Sequence, residues 1–176
     1  MTDVATFDRL PAVEASEMLR ACCGATRWAE GMLARRPFVS ILALLAAADD
    51  VWRLMGPADW LEAFEHHPRL GDSSSAAVQG KRARTWSSDE QAGMAGAGTD
   101  ERTVLAAANA AYEARFGYIC IICATGMGVA EIAMLTEERL RHEPAEELPV
   151  AAEEQRKITR LRLLKLFHDP DEGNAS

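Results

Sequence analysis

The residues best suited to moving protons lie in His66-His67-Pro68-Arg69-Leu70-Gly71-Asp72, a histidine pair that opens a stretch punctuated by proline and glycine. His67 falls at a helix-to-loop transition rather than on a packed face, and loop residues held by a rigid scaffold are where function concentrates. An unperturbed imidazole, with a pKa of ~6.5, can give or take a proton at neutral pH. Four further groups carry polar chemistry at short spacing. They are Ser87-x-x-Glu90-Gln91, Asn109-x-x-Tyr112-x-x-Arg115-Phe116-Gly117, Trp28 with Arg36-Pro37-Phe38, and Lys157-Ile158-x-x-Leu161-Arg162-Leu163.

Each group also has a purely structural reading. Ser87-x-x-Glu90 is the capping-box pattern, in which both side chains satisfy orphan backbone N–H groups at a helix start. Asn109 reads as a helix-face residue with local hydrogen bonds, Tyr112, Trp28 and Phe38 as core, and Arg36-Pro37 as a helix stop. Arg162 could snorkel from a core face near a helix end. Cys120-x-x-Cys123 has a redox or zinc spacing, but every neighbour from Tyr118 to Ala124 is apolar. The adjacent Cys22 and Cys23 make a poor second half for a tetrahedral site. All four cysteines are therefore expected in the core, where a free thiol behaves as a small hydrophobe.

The elements that must position these residues are helical. Alanine and leucine dominate, β-branched runs are scarce, and the periodicities are those of helices. Helices are predicted over 13–22, 26–35, 38–54, 59–66, 100–116, 127–142 and about 146–168, with another opening at Ser87. Residues 67–86 read as a long loop, and a loop of that length tends to be functional or disordered. Leu105, Asn109, Tyr112 and Phe116 fall on one face, with Gly117 where a left-handed cap belongs. Ile158, Leu161, Leu164 and Phe167 form a predicted core stripe. Segment 118–124 reads as either a buried extended piece or a helix start. The expected fold class is all-α, in one domain over 1–176 with a core of about 7–168.

Composition narrows the function classes. A formal charge of -8 argues against nucleic acid, which requires a basic face to displace counterions. The start, Met1-Thr2-Asp3-Val4, lacks the basic and apolar regions of a secretory leader, so a cytoplasmic location is expected.

Taken in order, these motifs resemble the OHCU decarboxylase family, which acts on 2-oxo-4-hydroxy-4-carboxy-5-ureidoimidazoline. The resemblance rests on Cys23-Gly24-x-x-x-Trp28, Arg36-Pro37-Phe38, Trp60-Leu61-x-Ala63-Phe64-x-x-His67-Pro68-Arg69-Leu70-Gly71 and the Ser87, Asn109 and Lys157 groups above. It runs from residue 7 to about 167. The pairing of His-Pro-x-x-Gly with Ser-x-x-Glu-Gln at this distance is its most specific part. The resemblance implies an all-helical homodimer with no metal or organic cofactor, converting its substrate to (S)-allantoin in urate catabolism. It assigns catalysis to His67 and Glu90. Substrate binding falls to Pro68, Ser87, Gln91, Arg162 and the segment after Phe-Gly, here Ile119, Ile121, Ile122 and Cys123. Tyr118, Cys120 and Cys123 make that segment richer in cysteine than the family pattern. Two other classes compete. A metal-dependent hydrolase would use His66, His67 and Glu90, although adjacent histidines converge poorly on one ion. A non-catalytic helical module would show an apolar patch and no polar pocket.

Overall fold

Several helix starts follow from local chemistry. In the computed structural model, residues 2–70 and 98–167 are described, and among them eight α-helices occur. They are α1 (Val4–Arg9), α2 (Ala12–Cys22), α3 (Thr26–Leu33), α4 (Ile41–Arg53), α5 (Pro57–Glu65), α6 (Thr99–Phe116), α7 (Val129–Arg139) and α8 (Pro144–Leu166). The fold class is all-α, and the only β pairing among the described residues is an isolated bridge between Thr2 and Phe167.

Seven of these helices match predicted ones, with shifted ends. The α4 helix starts at Ile41 rather than 38 because Ser40 is its N-cap, accepting from the Ala43 N–H at 3.1 Å. Pro57 opens α5, where a proline loses no helical bond. The short α1 helix is absent from the predicted set, since six residues carry too little periodicity. Its Asp3 cap accepts from the Thr6 N–H at 2.7 Å.

The chain forms two compact units, one of Met1–Glu62 with Arg156–Ser176 and one of Ala63–Gln155. In the first, Phe7 stacks with Phe38 and meets Phe167 edge-on, at centroid distances of 6.3 and 5.0 Å. Arg36, read from sequence as a helix stop, also closes α1. Its guanidinium donates to the carbonyls of Phe7, Asp8 and Leu10 at the end of α1, where the Phe7 carbonyl also accepts from the Leu10 N–H at 3.1 Å. Gly31 lets α3 approach α4, since a Cβ there would lie 2.7 Å from Val51 Cγ1.

The predicted stripe on the last helix is rotated. Leu164 is 45% exposed and Leu161 half-buried, while Ile158, Thr159, Arg162, Leu163, Leu166 and Phe167 are buried. A buried arginine and threonine took positions that an apolar-only pattern assigns to leucine.

In the second unit, Leu105, Tyr112, Cys120, Ile122, Ala124, Val129, Ile132 and Ala133 make one apolar cluster. Gly117 ends α6 at φ 80°, the left-handed cap expected there. Segment 118–124 then runs without regular structure to α7, which decides between its two sequence readings. Cys22, Cys23 and Cys120 are buried and in no disulfide, as predicted, whereas Cys123 is only partly buried.

Candidate active site

His67 sits just past α5, where the helix tightens and stops. The His66 and His67 N–H groups donate to the carbonyls of Ala63 and Phe64 at 3.3 and 3.0 Å, the i→i+3 pattern of a closing turn. Pro68 is buried and His67 half-buried. The next two residues are tied to α6. Asn109 Nδ2 donates to the Leu70 carbonyl at 2.9 Å, and Arg69 makes a bidentate pair with Glu113 at 2.6 and 2.8 Å. Asn109 and Glu113 are four residues apart and share a helix face. The partly exposed Arg69–Glu113 pair orients the loop more than it stabilises it. The Asn109 amide is the stronger anchor, because it satisfies a backbone carbonyl from a buried position.

The same packing brings the His67 loop near segment 118–124. The Phe64 and Tyr118 rings lie 5.4 Å apart, and Leu70 packs on the cluster that contains Cys120 and Ile122. With no helix or sheet to satisfy it, this segment finds partners on α7 and α8. Arg139 Nη1 donates to the Ile121 carbonyl, and the Cys123 N–H donates to Glu154 Oε2 at 2.8 Å.

Arg139 is itself held by a buried polar group. Glu147, 0% exposed, accepts from Arg139 Nε at 2.7 Å, from Arg139 Nη2 and from the Tyr112 hydroxyl. His142 Nδ1 lies 2.6 Å from its second oxygen. Burial pushes the Tyr112 phenol far above its ordinary value, so it remains a hydrogen-bond donor. Burial also pushes the Cys120 thiol up to about 11, with Arg139 opposing. These groups form a fixed scaffold beneath segment 118–124.

Arg162 belongs to the other unit. It is 2% exposed, which rules out surface snorkelling. The Cys23 thiol there is pushed up to about 11 by burial, opposed by the Ala25 backbone, Thr159 and Arg162. Thr26 Oγ1 donates to Glu62 Oε1 at 2.6 Å. Ser87, Glu90 and Gln91 lie outside the described residues. No group of three or more His, Cys, Asp or Glu side chains among the described residues is arranged to hold a metal ion.

The partners of several residues in this arrangement left no signal in the sequence. Asn109 was expected to bond locally but reaches Leu70, 39 positions away. Arg139, Glu147 and Glu154 look like ordinary charges on helix surfaces, and only tertiary packing distinguishes them.

The sequence model of OHCU decarboxylase matches residues 8–164. The chain belongs to the OHCU decarboxylase family. The uric acid degradation bifunctional protein TTL of Arabidopsis thaliana is 37% identical over 150 residues, 85% of this chain and 46% of its own length. A 2-oxo-4-hydroxy-4-carboxy-5-ureidoimidazoline decarboxylase of Amia calva is 44% identical over 62 residues, 35% of each chain. This chain thus spans a third to about half of the curated relatives it matches. Among solved structures, a crystal structure of OHCU decarboxylase in the presence of (S)-allantoin is 34% identical, with a TM-score of 0.73. The match covers 87% of this chain and 99% of that one. A crystal structure of (S)-allantoin synthase, 21% identical with a TM-score of 0.68, shares the fold. No helix of the described residues is long and apolar enough to cross a membrane.

Proposed function

We propose that this chain removes CO₂ from 2-oxo-4-hydroxy-4-carboxy-5-ureidoimidazoline to form (S)-allantoin in urate breakdown, without a metal or organic cofactor. The observation that carries this reading is the likeness to an OHCU decarboxylase crystallised in the presence of (S)-allantoin, covered over 99% of its length at 34% identity.

The substrate's own electronics support cofactor independence. Its carboxylate and hydroxyl share one ring carbon, beside an imine carbon that bears the ureido group. When CO₂ leaves, its bonding pair forms a carbon–carbon double bond, and the imine pair moves to nitrogen and takes up a proton. The resulting enol loses its hydroxyl proton and gains one at the ureido-bearing carbon, which gives the ring amide carbonyl and the new stereocentre. A sink usually borrowed from a cofactor is already present. The protein has to position the ring, manage two protons and choose a face.

In this reading His67 takes the hydroxyl proton as the ring carbonyl forms. Glu90 orients N–H groups and delivers the proton to the stereocentre, while Ser87 and Gln91 hold the ureido edge. Pro68 and residues Ile119, Ile121, Ile122 and Cys123 line the ring. Arg162, assigned by family match alone, offers a planar fork of donors to carbonyl oxygens. Clamping the departing carboxylate would stabilise the ground state and raise the barrier, so that role is excluded. The chain works as one domain over 1–176, as a cytoplasmic homodimer.

The test is to generate the substrate in situ from urate with urate oxidase and hydroxyisourate hydrolase, then add this protein after dialysis against EDTA. Accelerated decay of the intermediate is expected. No acceleration, or acceleration only after zinc or manganese is restored, overturns the reading.

A further inference from the structure

Segment 118–124 is held at two consecutive peptide groups by ionised side chains from different helices. The Ile121–Ile122 peptide is held through its carbonyl by Arg139 of α7, and the Ile122–Cys123 peptide through its N–H by Glu154 of α8. These planes flank the Ile122 Cα, so the two bonds fix both backbone rotations of that residue. Charge-assisted bonds of this kind are shorter and about twice as strong as neutral ones. Between the clamps, the Ile122 side chain is buried in the apolar cluster. Because a trans peptide directs its C=O and N–H oppositely, each clamp also aims the other edge of its plane, the Ile122 N–H and the Ile122 carbonyl.

Arg139 is anchored by Glu147 and Tyr112, and Glu147 is bonded in turn to His142, so its end of the clamp is part of the core. Glu154 is half-buried on α8, and it is the member that can be changed without opening the core.

We propose that Glu154 is a positioning residue for the decarboxylation: by holding the Cys123 N–H against the Arg139 clamp at Ile121, it sets the orientation of the backbone that meets the substrate ring. The proposal rests on the decarboxylase reading above. Glu154 itself exchanges no proton. Its role is geometric, and a misplacement on the order of 1 Å near reacting groups costs up to ~100-fold in rate.

The test compares Glu154→Ala, Glu154→Gln and wild type for kcat, KM, the enantiomeric purity of the allantoin formed, and hydrogen exchange at the ¹⁵N-labelled Cys123 amide. Glu154→Ala should lower kcat on the order of 10- to 100-fold with a smaller change in KM, reduce enantiomeric purity, and deprotect the amide. Glu154→Gln should restore most of all three, because its amide oxygen still accepts from the Cys123 N–H. If the alanine variant does not fold, Glu154→Asp, one methylene too short to reach, takes its place with the same expected losses. Unchanged kcat and enantiomeric purity in the alanine variant, even with lowered stability, overturn the proposal. A glutamine variant as impaired as alanine also overturns it, since it would make Glu154 a proton carrier. A wild-type protein inactive on the substrate sinks the decarboxylase reading and this proposal together, whereas an active wild type isolates the failure to Glu154.

Discussion

Replacing Arg139 with methionine removes the cation from a carboxylate that has no access to water. Glu147 is 0% exposed, and the Arg139 side chain contributes two of its hydrogen bonds. After substitution, Glu147 keeps the Tyr112 hydroxyl and His142, but its charge loses its buried counter-ion. Removing one partner of such a pair costs about 3–5 kcal/mol. The orphaned Ile121 carbonyl adds a further cost of about 1–3 kcal/mol. Against a total stability of about 5–15 kcal/mol, this is a large fraction. At about 2–4 °C per kcal/mol for a chain of this size, the pair alone predicts a fall in Tm of roughly 6–20 °C. Removing both charges in Arg139→Met/Glu147→Leu should recover part of that loss, because no unpaired ion is left behind. The assay is thermal and urea unfolding of wild type, both single variants and the double variant. Single variants within 1 kcal/mol of wild type, or a double variant as unstable as the sum of the singles, would refute the buried-pair argument.

Three further outcomes follow from the same structure. Asn109→Ala should destabilise the fold by about 1–3 kcal/mol by orphaning the Leu70 carbonyl, and should lower kcat as the His67 loop loosens; an unchanged kcat in folded protein contradicts the anchoring role. His67→Asn should remove most of the rate acceleration while leaving unfolding nearly unchanged, and a fully active variant would exclude His67 as the proton carrier. With the thiols of Cys23 and Cys120 held near about 11, their thiolate fraction at pH 8 is roughly 200-fold below that of a free cysteine, and it grows only as pH climbs toward that value. In a native thiol titration Cys123 should therefore react first, with the buried thiols reacting only on unfolding; rapid native labelling of Cys23 or Cys120 would contradict their burial.

Sequence periodicity was sufficient for the helices long enough to show a face, and Gly117 marked the end of α6 because only a left-handed cap needs that residue there. It failed where position is set by distant chain. The α1 helix is too short to show a face, and it is closed by Arg36 from some 26–29 residues away, so the second role of Arg36 is not written locally. The rotated stripe on α8 has the same cause, since Arg162 and Thr159 are buried against polar chemistry that hydrophobic spacing ignores. His67 and Pro68 could be read from residue type and a family motif. Arg139 and Glu154 could not, and Asn109, though part of a family motif, gave no sign of its partner, because all three act through backbone groups of other segments. A backbone carbonyl or amide in need of a partner leaves no trace in residue identity.

The claim that this chain is a decarboxylase which chooses one face for protonation is tested most directly by the handedness of its product. Urate is converted in situ with its oxidase and the hydroxyisourate hydrolase, and evolved CO₂ and circular dichroism are followed together with and without this protein. With the protein, faster CO₂ release and the dichroism of (S)-allantoin in step with it are expected, against slow release and racemic product in its absence. Release at the uncatalysed rate, or catalysed release of racemic allantoin, would contradict that claim.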